Sequence, residues 1–398
     1  MSKKLIIIIV IAIVLVAGIG YLIYFFYKNT SVKIVANPDN AKVFIDNQNY
    51  ANKEKIFLKP GTYQLKVELD DYITYQLEIK LMLGAQKVLA VDLRKLPMPE
   101  KVTNDTGKFP ALTPEKKSIY YLSNGGKTIF SIEDILAKNL ITEPISPNFF
   151  ANVTNINWSP DMNLAIVKEE GSKTFLYDFK RYDLLHQEFT PFDDGIGDVV
   201  WSPDSQNIIY YYAPTGGETT LIRATETNTE KDRIYNFLNT NIRNPQLSWS
   251  PDGLDVLLVS GKKLYILNLY TKELIPLFVD KNIIQAEFSP TNKILLVADD
   301  GTYLTDKNAE NIQKLDFKTT LNKITFFDDN NLIIVEKNAN NIDNFYFYNL
   351  QNNQKNELVY NAKSKINPVN AILTSDKVNI YFESSGFLYR MKVDDGRY

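Results

Sequence analysis

Three serines stand two residues before an aspartate: Ser159 with Asp161, Ser202 with Asp204, and Ser250 with Asp252. Each pair lies inside the same stretch, Trp158-Ser159-Pro160-Asp161, Trp201-Ser202-Pro203-Asp204 and Trp249-Ser250-Pro251-Asp252, the last followed by Gly253. A hydroxyl beside a carboxylate suggests nucleophilic catalysis, in which a base takes the hydroxyl proton and an acid orients that base. The base is missing. The chain has one histidine, His186, in Leu184-Leu185-His186-Gln187, and one imidazole cannot serve three sites. We therefore assign no catalytic residue to the motif and expect a protein that is not an enzyme.

Other chemistries are bounded in the same way. With no cysteine, the chain lacks a thiol nucleophile, thiolate metal ligands, disulfides and a lipid-modified cysteine anchor. The acidic groups Asp193-Asp194, Asp299-Asp300-Gly301 and Asp328-Asp329-Asn330-Asn331 lack the spacing of a calcium loop and suit hairpin turns, so no metal site is expected. Asn104-Asp105-Thr106-Gly107-Lys108 ends in Gly-Lys but lacks the first glycine of a phosphate loop, and no cofactor is assigned. A net charge of -3 without a long Lys/Arg block gives no electrostatic basis for nucleic-acid binding. Paired Asp and Glu side chains, which need no histidine, leave one enzymatic alternative: a carboxylate-dependent hydrolase.

The motif has a structural reading at every position. Serine suits the first place of a type I turn, proline the second because its φ is already near -65°, aspartate the third and glycine the fourth. The aromatic ahead of the turn reads as a packing side chain between neighbouring elements. A near copy, Phe288-Ser289-Pro290, and weaker ones at Leu112, Phe326 and Leu373 extend the series, with spacings of 38 to 48 residues. Every copy places a strand before the turn and another after it, such as Asn207–Tyr211 or Asp255–Val259. A third strand follows, such as 174–177 or Lys263–Leu267, and then a fourth. Four short antiparallel strands in each unit of this length make a β-propeller blade. Seven blades account for residues 97–398, with six or eight as alternatives. The seventh copy runs out after its third strand near Val393, so residues near 98–106 are expected to supply the missing strand and latch the ring. The repeats resemble the TolB-like propeller family, and that resemblance implies a toroid that binds a partner or ligand at one face.

An all-β body fits a chain with 44% hydrophobic and 12% aromatic residues. The exception is the uncharged run from Leu5 to Tyr27, long enough to cross roughly 30 Å of hydrocarbon as a transmembrane helix. Its apolar length and its aromatic end, Tyr21 to Tyr27, are read as an uncleaved anchor rather than a signal peptide. Lys3 and Lys4 make residues 1–4 a cytoplasmic tail. The bilayer is then a partner through residues 5–27, and the bulk of the chain lies outside the cell membrane.

Residues 31–93 alternate with period two in short strands separated by Asn37-Pro38-Asp39-Asn40, Asp46-Asn47 and Lys59-Pro60-Gly61-Thr62, the pattern of a small β-sandwich. The order Asn37-Pro38, Ala41, Val43, Ile45-Asp46, then Leu58-Lys59-Pro60-Gly61-Thr62-Tyr63, resembles a PEGA domain. It departs where the family has glycine, with Asn47 after the first hairpin aspartate and Asp71 before Tyr72. The resemblance implies an extracytoplasmic module for envelope contact or spacing. The expected whole is a membrane-anchored binding or scaffold protein whose propeller presents a face to an envelope protein or polysaccharide. The alternative is a membrane-tethered hydrolase of cell-envelope glycans.

Overall fold

In the computed structural model, which describes residues 3–171, 177–338, 341–359 and 366–393, the apolar amino-terminal run is one helix, Lys3–Asn29. It extends two residues past the apolar run at each end, because helical hydrogen bonding propagates readily through flanking polar residues. From Ile9 to Lys28 it is long and apolar enough to cross a membrane or to serve as a signal sequence, and none of that window is buried against the chain. The chain separates into two compact units, Met1–Leu96 and Pro97–Tyr398.

In the first unit, Ser31–Asn37 pairs antiparallel with Lys55–Phe57 and parallel with Gln86–Asp92. A second sheet runs Gln48–Tyr50, Lys42–Ile45, Gly61–Glu68, Tyr75–Leu81. Period-two alternation sends Val32, Ile34, Val43, Ile45, Leu65, Val67, Ile79 and Leu81 into one core shared by both sheets. The two positions without glycine keep their turns. Asn47 and Asp71 adopt φ of 66°, the left-handed region that Asn and Asp tolerate better than most residues.

In the second unit the described residues form seven four-stranded antiparallel sheets. The first strands of sheets 2 to 7 are Val153–Trp158, Ile196–Trp201, Gln246–Trp249, Ile283–Phe288, Ile324–Asp328 and Val369–Leu373. Lys108–Leu112 takes that place in sheet 1. Sheets 2 to 6 are each continuous in sequence. Sheet 7 is completed from the other end of the unit, where Glu100–Lys101 pairs antiparallel with Phe387–Lys392. This is the latch expected near 98–106. Expected strand residues Thr174, Phe175 and Leu176 lie outside the described residues.

Apolar side chains leave both faces of each sheet and meet those of the next. Val200, Ile209 and Leu221 of sheet 3 share a core with Val256, Leu258 and Leu267 of sheet 4. Leu295 and Leu304 of sheet 5 join Leu332 and Ile334 of sheet 6. Ile372 and Tyr381 of sheet 7 join Ile119 and Tyr121 of sheet 1. Sheets covered on both faces by other sheets explain the continuous apolar runs of the second strands.

Candidate functional site

The serines and aspartates of the repeat are bound to one another and to their own turns. Ser159, Ser202 and Ser250 donate to Asp161, Asp204 and Asp252 at 2.6, 2.5 and 2.6 Å. Each serine oxygen also accepts the amide of the residue five positions on: Leu164, Asn207 and Asp255. Each aspartate accepts the amide two positions on: Asn163, Gln206 and Leu254. Burial opposes ionisation of Asp161 and Asp252, yet hydrogen bonds from Ser159 and Asn163 at the first, and from Lys307 and then Ser250 at the second, hold both carboxyls below their ordinary range. At Asp204 the bond from Ser202 leads the same shift. A carboxylate held that low is a weak base, so the serines are not activated. His186 is exposed in a hairpin and its ring lies 3.1 Å from Asp183, not from a serine.

The turn's fourth place is left-handed in every copy that keeps it, at Lys116, Met162, Ser205, Gly253, Asn292 and Lys377. Copies also brace each other. The Asp161 amide donates to Ser205 of the next turn, and the Asp252 amide donates to Asn292. Ser250 is fully buried, so Ser250→Ala should strand the Asp255 amide and cost about 1 to 3 kcal/mol. Chemical denaturation of the variant measures this.

The tryptophans stand between consecutive sheets. Trp158 packs on Tyr120 of sheet 1 with ring centroids 5.4 Å apart. Trp201 donates to the Asn157 carbonyl of sheet 2 at 3.0 Å. Trp249 donates to Gly253 of its own turn, with Arg223 of sheet 3 over its ring. Phe288 joins the core of sheets 4 and 5, and Ser289 bonds Thr291 and the Lys293 amide around Pro290. The Phe326 copy departs from the rest: Asp328 pairs directly with Asn331 across a two-residue turn. A cavity of about 550 Å³ beside it is lined by Phe326, Phe327, Pro110 and Pro290.

A larger cavity of about 830 Å³ lies among the first strands of sheets 2 to 5. Its wall is polar, and much of that polarity is spent joining one sheet to the next. Asn157 donates to the Val199 carbonyl, Asp198 accepts the Leu247 amide, Ser248 accepts the Phe288 amide, and Gln285 accepts the Leu321 amide. Gly197 on this wall packs tightly against the core, since a Cβ there would stand 2.9 Å from the buried Tyr211 ring.

The ionisable groups on this wall, among the described residues, are Lys168, Asp198 and Glu287. Burial pushes Asp198 up to about 6, against the Leu247 amide and the nearby Lys168 charge. Burial likewise lowers Lys168, and Asp198 works in the opposite direction. Glu287 is pushed up to about 7 by burial alone. It has no hydrogen-bond or ion-pair partner among the described residues, although part of its surface stays open to the cavity. The spacing of the repeat motif did not find this site. Its only sequence signal is a charge set between Ala286 and Phe288 in an otherwise packing strand.

A raised carboxyl pKa opposes folding wherever the group must ionise. The folded state holds the Glu287 proton longer than the unfolded chain, so stability should fall as pH rises from about 4.5 to about 7. Glu287→Gln should remove that decline and gain about 2 to 3 kcal/mol above neutrality. Denaturation midpoints of both proteins across pH 4 to 8, on the order of that window, test it.

Residues 29–96 match the PEGA domain family. No curated protein matches the chain. Among solved structures, an oligogalacturonate lyase in complex with manganese is similar over 76% of this chain and 97% of its own, at 12% identity and a TM-score of 0.55. The C-terminal WD40 domain of Sif2 is similar over 76% of this chain and 99% of its own, at 13% identity and a TM-score of 0.49. At such identity the lyase likeness shows the fold alone: a β-propeller following the PEGA domain. Helix, PEGA domain and propeller together fit a membrane-anchored extracytoplasmic protein.

Proposed function

We propose that this chain is a single-pass membrane protein with a cytoplasmic amino terminus, and that its propeller binds an envelope protein or polysaccharide without turning it over. The PEGA module serves as its envelope-contact or spacer domain. The propeller is read as seven-bladed and TolB-like, supported by seven four-stranded sheets, the shared cores between them and the recurring Ser-Pro-Asp turn. One observation carries the binding reading. The repeat's hydroxyls and carboxylates are consumed within the turns, whereas the cavity between sheets 2 and 5 is polar and holds a carboxylate with no partner among the described residues.

The test is photo-crosslinking of the full chain in its native cells. A crosslinker at Gln246, exposed on the cavity wall, should capture one consistent envelope component. The same group at Tyr270, 90% exposed and away from the cavity wall, should not. Absence of any capture specific to Gln246 overturns the reading.

The hydrolase alternative retains a specific support, because Asp198 and Glu287 line one cavity and both carry raised pKa values. The manganese in complex with the lyase has no counterpart donor set here: among the described residues no group of three or more His, Cys, Asp or Glu could hold a metal. Release of fragments from envelope glycans by the full chain, lost in both Asp198→Asn and Glu287→Gln, would establish the hydrolase instead.

A further inference from the structure

The charges on the cavity wall do not balance. Lys168 lies near enough to Asp198 for each to favour the other's charged form, and with both ionised that pair cancels. Glu287 remains, largely covered by protein on a wall where Asp198 and Ser248 reach the neighbouring strand and Gln285 reaches the turn ahead of one. An isolated carboxylate in such a place is costly, and it either keeps its proton or acquires a cation. Once Glu287 ionises, its missing complement is one positive charge, and the open side from which that charge can come is the cavity.

The rest of the wall says what should carry that charge. Asn155, Asn244 and Gln246 are exposed amides, each able to donate to and accept from a hydroxyl. Trp158 and Trp249 also line the space and are only partly covered, and an indole face can pack on an apolar sugar face. We propose that this cavity takes an amino sugar with a free, protonated amino group, its ammonium on the Glu287 carboxylate and its hydroxyls on Asn155 and Asn244. The proposal rests on the binding reading above and names its substrate class. Ion pairing on Glu287 displaces the carboxyl proton to solvent, so binding at mildly acid pH releases a proton.

The experiment is isothermal titration of the full chain in detergent micelles at about pH 6, where Glu287 is mostly protonated. The probes are glucosamine and its β-1,4-linked trimer, with glucose and N-acetylglucosamine as neutral counterparts. Glucosamine should bind at least about tenfold more tightly than either neutral sugar, since a charge-assisted bond is lost without the ammonium. Titrations in buffers of different ionisation enthalpy should show close to one proton released per ligand. Glu287→Gln, its fold verified by thermal melting, should lose both the preference and the proton release. A trimer that binds more tightly than the monomer assigns the source to a polymer, and equal binding assigns it to the free sugar.

Neutral sugars binding as well as glucosamine, or no proton release in the wild-type protein, overturns the proposal. So does tighter binding of Nα-acetyl-lysine amide with the same proton release, which would point to a partner protein's lysine. Failure here with Gln246 crosslinking intact removes the amino-sugar inference alone; loss of both removes the binding reading as well.

Discussion

Trp201→Ala should lower the unfolding free energy by about 3 to 5 kcal/mol, the range for deleting a large aromatic from a core. Trp201 is 6% exposed and packs with Ile166 and Phe179 of one sheet and Val199, Ile208 and Ile222 of its own. Its indole nitrogen holds the Asn157 carbonyl of the preceding sheet at 3.0 Å. Alanine empties the wedge between two sheets and leaves that carbonyl without its donor. Trp201→Phe separates the two contributions. It keeps most of the apolar volume and loses the hydrogen bond, so it should cost about 1 to 2 kcal/mol. Denaturant unfolding of both variants in detergent measures this. Equal losses in the two would place the energy in the hydrogen bond rather than in packing.

The second large effect is expected at the latch, from Gly107→Val. Gly107 passes so close to the last sheet that a Cβ would lie 2.6 Å from the Leu388 nitrogen, a backbone atom that cannot step aside. Its amide donates to the Gly386 carbonyl, and the Val102 amide donates to Leu388 on the same strand. Valine should push this segment away and break both bonds together with the pairing of Glu100–Lys101 to Tyr389 and Arg390. The loss is roughly 2 to 4 kcal/mol at about 1 kcal/mol for each backbone bond. It also uncovers the edge of Phe387–Lys392, and an unpaired edge recruits other strands. Size-exclusion chromatography should show concentration-dependent association, and limited proteolysis should cut between residues 97 and 107. Glu100→Gln is the control. Its ion pair with Arg390 is 2.9 Å long but Glu100 is 68% exposed, so the change should cost less than about 1 kcal/mol.

These two sites differ in how far they could be read in advance. Trp201 announces itself, because the turn after it is built from neighbouring residues and turn chemistry is local. The closeness of Gly107 to Leu388 joins residues nearly three hundred positions apart, and no periodic pattern reports it. The Gly-Lys at the end of Asn104 to Lys108 serves no phosphate loop: Gly107 is there for backbone clearance. The Phe326 copy shares the aromatic but has no serine or proline after it. Asp328 and Asn331 instead close a shorter hairpin.

By itself the sequence determined whatever depends on residues near one another in the chain. Leu5 to Tyr27 had to be an apolar helix, and the alternation of 31–93 had to bury one face of each strand. The Trp-Ser-Pro-Asp copies had to be turns, since hydroxyl, proline and carboxylate satisfy amides within five positions. Only the tertiary structure decided the rest. Curling the sheets into sequence brought Lys168, Asp198 and Glu287 to one wall from three different sheets. It supplied Lys168 with a counter-charge while leaving Glu287 without a partner among the described residues. Burial and neighbouring charge set a carboxylate's chemistry, and both are properties of the closed ring rather than of any stretch of it.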